Sequence, residues 1–306
     1  MSLFPSFVRR KVKTRGASIN LVHGGEGEEA ILLLHGYPQT HAMWHKVAPQ
    51  LAQDYSVVCP DLRGQGDSSK PKGLSDHSNY SKRAMALDMV EAMSKLGHQR
   101  FHLVGHDRGG RVAHRLARDH GERVRTLTVL DISPTLKMYR STDMRFAKAY
   151  WHWFFLTQEP PLPETILAGR AEYFILRRLG RGKGGLTHFS ELALAEYKRV
   201  FEDPRTVHST CEEYRASATI DLVHDEQDRT RLRMPLLALW AKDGVIDTLF
   251  SCLADWREVA TDVRGRAIPC GHYIPEESPD VLIYELRSFF ADRTREGEET
   301  EPRLNA

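Results

Sequence analysis

The chain reads as an α/β protein: a mostly parallel sheet with helices on both faces, interrupted by an inserted helical segment. Three observations predict this. Short apolar runs alternate with helix-period segments up to residue 133, the pattern of a parallel sheet covered on both sides. The alternation stops over 134–233 and resumes at 235. Finally, one apolar run ends in Gly105-His106-Asp107-Arg108-Gly109 and passes straight into a helical segment.

In chain order, 7–13 and 18–23 read as strands, followed by a turn at 24–27 and a buried strand at 30–34. A further short strand falls at 55–59. Residues 85–96 have helical periodicity and stop at Gly97, a helix C-terminal cap. Strand 101–104 enters the tight turn, helix 109–120 leaves it, and 124–130 is again a strand. Over 134–233 no strand is expected. Helical stretches at 144–155, 165–179 and 192–201 are punctuated by Pro160, Pro161, Pro163 and the loop 180–185. The sheet resumes with strands 235–240 and 263–268, and a helix at 281–290 closes the pattern. The expected organisation is a core formed by 1–133 and 234–292, a helical cap at 134–233 over the active-site end, and a charged, disordered tail at 293–306.

With 306 residues, 41% hydrophobic and 27% charged, the chain can bury one large core. A net charge of +2 gives no global pull toward nucleic acid or membrane, and no apolar run approaches the length of a span. The four cysteines (Cys59, Cys211, Cys252, Cys270) are scattered without metal-type spacing, and the N-terminal charges follow rather than precede the apolar stretch. Both features predict a cytoplasmic protein with reduced thiols. No HExxH or similar ligand spacing is present, so neither cofactor nor metal is expected.

A strand that stops at G-x-D-x-G and turns into a helix is a nucleophile elbow in carboxylate form, with Asp107 as a nucleophile that needs no base to generate it. Small residues flank it because the turn leaves no room for a neighbouring Cβ. Arg108 and Arg111 follow within one helical turn, and two guanidinium groups beside a nucleophilic carboxylate predict a small anionic substrate. The loop His35-Gly36-Tyr37-Pro38 can aim the backbone N–H of Tyr37 at the space above Asp107. Together with the N–H of Arg108 it would form an oxyanion hole. The Gly-flanked His272, after the last strand, falls where α/β-hydrolases place their general base. A carboxylate should orient it; Asp131 and Asp243 (or Asp247) both follow strands at places used for this purpose, and spacing does not choose between them.

The elbow GHDRGGR, the LDISPT stretch containing Asp131, and 150–155 followed by PPLPE resemble the fluoroacetate dehalogenases, a family of the α/β-hydrolase superfamily. The resemblance runs from Phe7 to Phe290. Its most specific element is H-D-R-G-x-R, since related haloalkane dehalogenases and epoxide hydrolases usually carry Trp in place of Arg108. The resemblance implies that Asp107 is the nucleophile, that Arg108 and Arg111 bind a substrate carboxylate, and that Asp131 orients His272. It also implies a halide pocket of His152, Trp153 and Tyr214, a homodimer, and hydrolysis of a small haloacid, fluoroacetate first. One departure is the absence of a cap tryptophan in 180–185, which implies a roomier or more mobile pocket. The alternatives are an epoxide hydrolase, a dehalogenase preferring chloro- or bromoacetate, and a binding protein without turnover.

Overall fold

The computed structural model describes residues 2–182 and 184–300. Strands β1 (Val8–Lys13) and β2 (Ser18–Gly24) form an antiparallel pair, and β2 runs antiparallel to β4 (Ser56–Pro60). From there the sheet is parallel through β3 (Ala30–Leu34), β5 (Phe101–His106), β6 (Val124–Leu130), β7 (Leu236–Ala241) and β8 (Val263–Ile268). The eight strands lie in the order β1-β2-β4-β3-β5-β6-β7-β8. Every residue of β3 and β5 is buried, as expected for central strands with helices on both faces. Leu32, Leu103, Leu127 and Leu236 stand side by side across four neighbouring strands and form one layer of the core.

This fold places the C-terminal ends of β3, β5, β6 and β8 along one edge of the sheet. Ligands of open α/β sheets bind outside such an edge, because the loops there change direction.

Between β6 and β7 lie helices and no named strand among the described residues. Two of the expected helices are each divided in two. The 144–155 stretch forms Met144–Ala149 and Trp151–Leu156, separated at Tyr150, which leaves helical geometry at φ −112 and ψ 31. The 165–179 stretch forms Leu162–Leu167 and Ala171–Leu179, broken by Gly169 at φ 69. Helix Glu191–Phe201 starts on the Ser190 hydroxyl, which caps Ala193 N–H. Helices Pro204–Ala218 and Ile220–Gln227 complete the segment. The last helix, Pro279–Thr300, continues through 293–300, the start of the stretch expected to be disordered; the remainder of that tail, 301–306, lies outside the described residues. No helix among the described residues is long and apolar enough to cross a membrane. Cys59, Cys211, Cys252 and Cys270 are free thiols.

Candidate active site

Strand β5 ends at His106, and the helix Asp107–Asp119 begins at the next residue. The reversal holds Asp107 at φ 45, a left-handed conformation that costs a residue with a Cβ about 1–3 kcal/mol. The surrounding glycines make it possible. A Cβ on Gly109 would lie 2.4 Å from the His35 carbonyl oxygen and 2.5 Å from that of Leu34. One on Gly105 would meet Gly109 O at 2.5 Å and Gly110 Cα at 2.6 Å. These neighbours are backbone and cannot swing aside.

Asp107 is buried. Burial by itself would raise its pKa, but His272, Arg111, His106 and Arg108 more than offset it and hold the carboxyl below its ordinary value. The side chain is therefore an anion at neutral pH. Tyr37 N–H, on the loop after β3, donates to Asp107 Oδ2 at 3.3 Å. Among the described residues the Arg108 N–H makes no such bond to this carboxylate.

His272 lies on the loop after β8, and two side chains fix that loop through three hydrogen bonds. Glu277 accepts from Gly271 N–H at 2.6 Å and from Tyr273 N–H at 2.9 Å. His106 Nε2 donates to the His272 carbonyl oxygen at 2.8 Å. Burial pushes His106 down to about 4, so it acts as a neutral donor. Asp131 ends β6 at φ 52, with Oδ1 accepting from Ala241 N–H at 2.9 Å and Oδ2 2.5 Å from His272 Nδ1. An ionised carboxylate only accepts, so Nδ1 carries a proton, and Nε2 on the other side of the ring lies 4.0 Å from Asp107 Oδ2. Asp243 is exposed, gives its own N–H to Asp247 at 3.1 Å, and makes no bond to His272. Of the two candidates, the structure brings Asp131 to the histidine.

Both arginines are buried beside Asp107, with different surroundings. Arg108 Nε donates to Glu213 Oε1 at 3.0 Å, and its Nη2 donates to Glu213 O at 3.0 Å and Ser217 Oγ at 2.6 Å. Its guanidinium lies 4.1 Å above the Tyr214 ring, and Nη1 has no partner among the described residues. Burial disfavours this charge, but Glu213 beside it more than compensates. Arg111 meets only neutral acceptors: Ser133 O at 3.3 Å, Thr135 Oγ1 at 3.0 Å and Met138 Sδ at 3.2 Å. Its Nε has no partner among the described residues, and it lies 4.7 Å from the Trp153 ring.

His152, Trp153 and Tyr214 form one buried aromatic wall with Tyr37. The His152 ring stacks on Tyr37 at 6.2 Å, and Tyr214 stands edge-on to Tyr37 at 5.6 Å, to His152 at 5.9 Å and to Trp153 at 6.4 Å. His152 Nδ1, Trp153 Nε1 and the Tyr214 hydroxyl are all buried without a hydrogen-bond partner among the described residues. Burial keeps the His152 pKa far below its ordinary value, and the Tyr214 phenol well above its own. Three neutral groups able to donate thus share one dry wall. Among the described residues, no group of three or more His, Cys, Asp or Glu is placed to hold a metal ion.

Sequence reasoning missed Glu213, Ser217, Lys82, His106, Glu277 and Arg178. Lys82 Nζ lies 3.1 Å from Glu213 Oε1 and 3.4 Å from Asp221 Oδ2, completing a buried cluster behind Arg108. His106 and Glu277 stand near site residues in the sequence but carry no motif that marks their roles, while no spacing rule could have found the others, since partners such as Arg108 and Glu213 are 105 residues apart.

The family model described as alpha/beta hydrolase fold matches residues 29–279. The chain is 44% identical to a fluoroacetate dehalogenase from Burkholderia sp, over 98% of this chain and 99% of that protein. It is 34% identical to a soluble epoxide hydrolase from Corynebacterium sp. (strain C12), over 90% and 94% of the two chains. Among solved structures, an alpha/beta hydrolase from Nostoc sp PCC 7120 superposes with a TM-score of 0.91 at 53% identity, covering 93% of this chain and 98% of that one.

Proposed function

The chain belongs to the fluoroacetate dehalogenase family of the α/β-hydrolase superfamily, and on that premise we propose that it hydrolyses the carbon–halogen bond of a small 2-haloacid, fluoroacetate to glycolate and fluoride first among them. One observation carries the reading: Arg111 is a buried cation without a carboxylate partner among the described residues, one helical turn from a buried nucleophilic carboxylate. Asp107 opposes the Arg111 charge at longer range, and a substrate carboxylate can take the direct ion pair that Arg111 lacks.

In this reading Arg111 and the free Nη1 of Arg108 hold the substrate carboxylate and present its halogen-bearing carbon to Asp107. An Asp107 oxygen forms an ester bond to that carbon while the halide leaves with the bonding pair toward His152, Trp153 and Tyr214. His272 Nε2, its ring oriented by Asp131, then takes a proton from water, and the hydroxide adds to the Asp107 ester carbonyl. Tyr37 N–H stabilises the oxyanion, joined by the Arg108 N–H as the intermediate forms. Collapse expels the product alkoxide, which takes the proton back from His272. Asp107, now bearing an oxygen from water, releases its own proton and is an anion again. Splitting one displacement into two steps is the gain of a covalent intermediate. The helices between β6 and β7 act as the cap that supplies the halide pocket.

An epoxide hydrolase is the second reading. The free Tyr214 hydroxyl favours it, as a donor to an opening epoxide oxygen, and so does the similarity to the Corynebacterium enzyme. A neutral epoxide, however, would leave Arg111 without a direct ion pair. Halide release from fluoroacetate and chloroacetate, measured beside diol formation from a model epoxide, separates the two. The haloacids are expected to turn over and the epoxide not. His272→Ala should release one halide per active site and stall as the Asp107 ester, visible in the intact-protein mass. Steady turnover by this variant would overturn the assignment.

A further inference from the structure

Arg178 is on the helix Ala171–Leu179 and reaches the aromatic wall at His152. Its Nη2 lies 3.1 Å from His152 Nε2. A guanidinium has N–H donors only and stays protonated. An imidazole nitrogen facing it at hydrogen-bond distance therefore presents a lone pair, and a neutral ring then carries its proton on Nδ1.

Two further observations agree. His152 Nδ1 is the ring nitrogen left buried without a partner among the described residues, as are Trp153 Nε1 and the Tyr214 hydroxyl. The ring is also confined: it lies 15° from parallel with Tyr37, and Tyr150 packs against it at 5.7 Å. Burial, then Arg178 itself, holds the imidazole neutral. The Arg178 backbone is anchored in turn, since its carbonyl oxygen accepts from the Tyr273 hydroxyl at 3.2 Å, one residue from His272.

We propose that Arg178 is a positioning residue of the leaving-group pocket: by donating to Nε2 it locks His152 in the Nδ1–H tautomer, so the ring offers the departing halide a donor rather than a lone pair. The pocket assignment rests on the dehalogenase reading above; the tautomer lock itself does not. A lone pair in that place would repel the anion. Fluoride, the most strongly hydrated halide, depends most on having its full set of donors.

The test joins a direct view of the protons to halide selectivity. Long-range proton–nitrogen correlation spectra of 15N-histidine-labelled protein, with the His152 signals identified by their loss in His152→Gln, should show a protonated Nδ1 and a bare Nε2. In Arg178→Met the pattern should shift toward Nε2–H. kcat/KM on fluoroacetate should fall on the order of tenfold to a hundredfold, and much less on bromoacetate. Arg178→Lys keeps a donor and should restore both the spectrum and the selectivity, which separates the lock from a general loss of packing. A wild-type ring protonated on Nε2, or an Arg178→Met spectrum unchanged from wild type, overturns the proposal. A spectrum that follows the prediction in an enzyme releasing no halide would uphold the lock and overturn the dehalogenase reading.

Discussion

Arg108 and Arg111 are the same residue type one helical turn apart, yet their neighbours give them different work. Glu213 matches the charge of Arg108 at 3.0 Å, which leaves Arg108 as a directed donor through its free Nη1. Arg111 is held by Ser133, Thr135 and Met138, none of which bears a charge. Arg111 is therefore the one of the two without a direct ion pair, its charge opposed only at longer range by Asp107. A buried hydrogen bond to a charged group is worth about 1.5–3 kcal/mol. At the upper end of that range, Arg111→Met should raise KM for chloroacetate on the order of a hundredfold. Neutral chloroacetamide, lacking the carboxylate, should be affected far less. Steady-state kinetics on the two substrates provide the check, and equal losses on both would show that Arg111 shapes the site without reading charge. That the two arginines stand together beside Asp107 was legible in the sequence because both fall on one helix. Its division of labour was not, because the residue that creates it comes from a helix far along the chain.

The helix Pro204–Ala218 places Glu213, Tyr214 and Ser217 behind the site, and it was the element least visible in the sequence. Most of its side chains are buried, including Glu212, Glu213 and Arg215. A helix buried nearly all round, with charges inside, has no apolar stripe to betray its period. The elbow was legible for the opposite reason: its glycines, strained aspartate and flanking strand are local in sequence, and contacts as close as 2.4 Å permit no other residue at Gly109. The buried cluster that this helix completes is balanced, with Arg108 and Lys82 facing Glu213 and Asp221. Burial lowers the Lys82 pKa, and Arg108 adds to the effect, while the two cations hold Glu213 below its usual value against its own burial. Removing one partner of a buried pair costs about 3–5 kcal/mol, because the other is left uncompensated. Glu213→Gln should lose stability in that range in urea denaturation. Adding Lys82→Met restores the balance, with Arg108 against Asp221, and should recover a good part of the loss. A double variant no more stable than Glu213→Gln would show that the cost is lost packing rather than an orphaned charge.

Across the whole molecule, the order of strands and the late position of His272 were enough to predict a catalytic edge, since each candidate follows a separate parallel strand. The ties between the helical segment and the sheet were not predictable, because they join distant loops through single side chains. One such tie centres on Glu276, in the short helix Ile274–Glu277 directly after the His272 loop. Its Oε1 accepts from the Tyr197 hydroxyl at 2.5 Å and from Gln39 Nε2 at 3.3 Å. Tyr197 lies on the helix Glu191–Phe201, and Gln39 stands two residues from Tyr37. Among the other groups near Glu276, Lys46 favours its charge and Glu277 opposes it, and together they do not outweigh burial. His45 Nδ1 stands 3.9 Å from Oε2, too far for a hydrogen bond, and the His45 ring is kept neutral by burial. Lys46 spends its ammonium on the carbonyls of His188 and Glu276 itself. Burial accordingly raises the Glu276 carboxyl from an ordinary 4.5 to about 7. Below about pH 4.5 the group is protonated in both folded and unfolded chains and has no effect on stability. As pH climbs from there to about 7, the unfolded chain gives up the proton while the folded chain keeps it, so stability falls. Above about 7 the cost is constant, about 3 kcal/mol for a shift of this size. Glu276→Gln keeps an oxygen for the Tyr197 and Gln39 donors and cannot ionise. Its unfolding free energy relative to wild type should therefore rise between pH 5 and pH 8, while every other titration cancels in the difference. A difference that stays flat across that range would mean that Glu276 ionises normally in the fold and that its contact with Tyr197 carries no pH dependence.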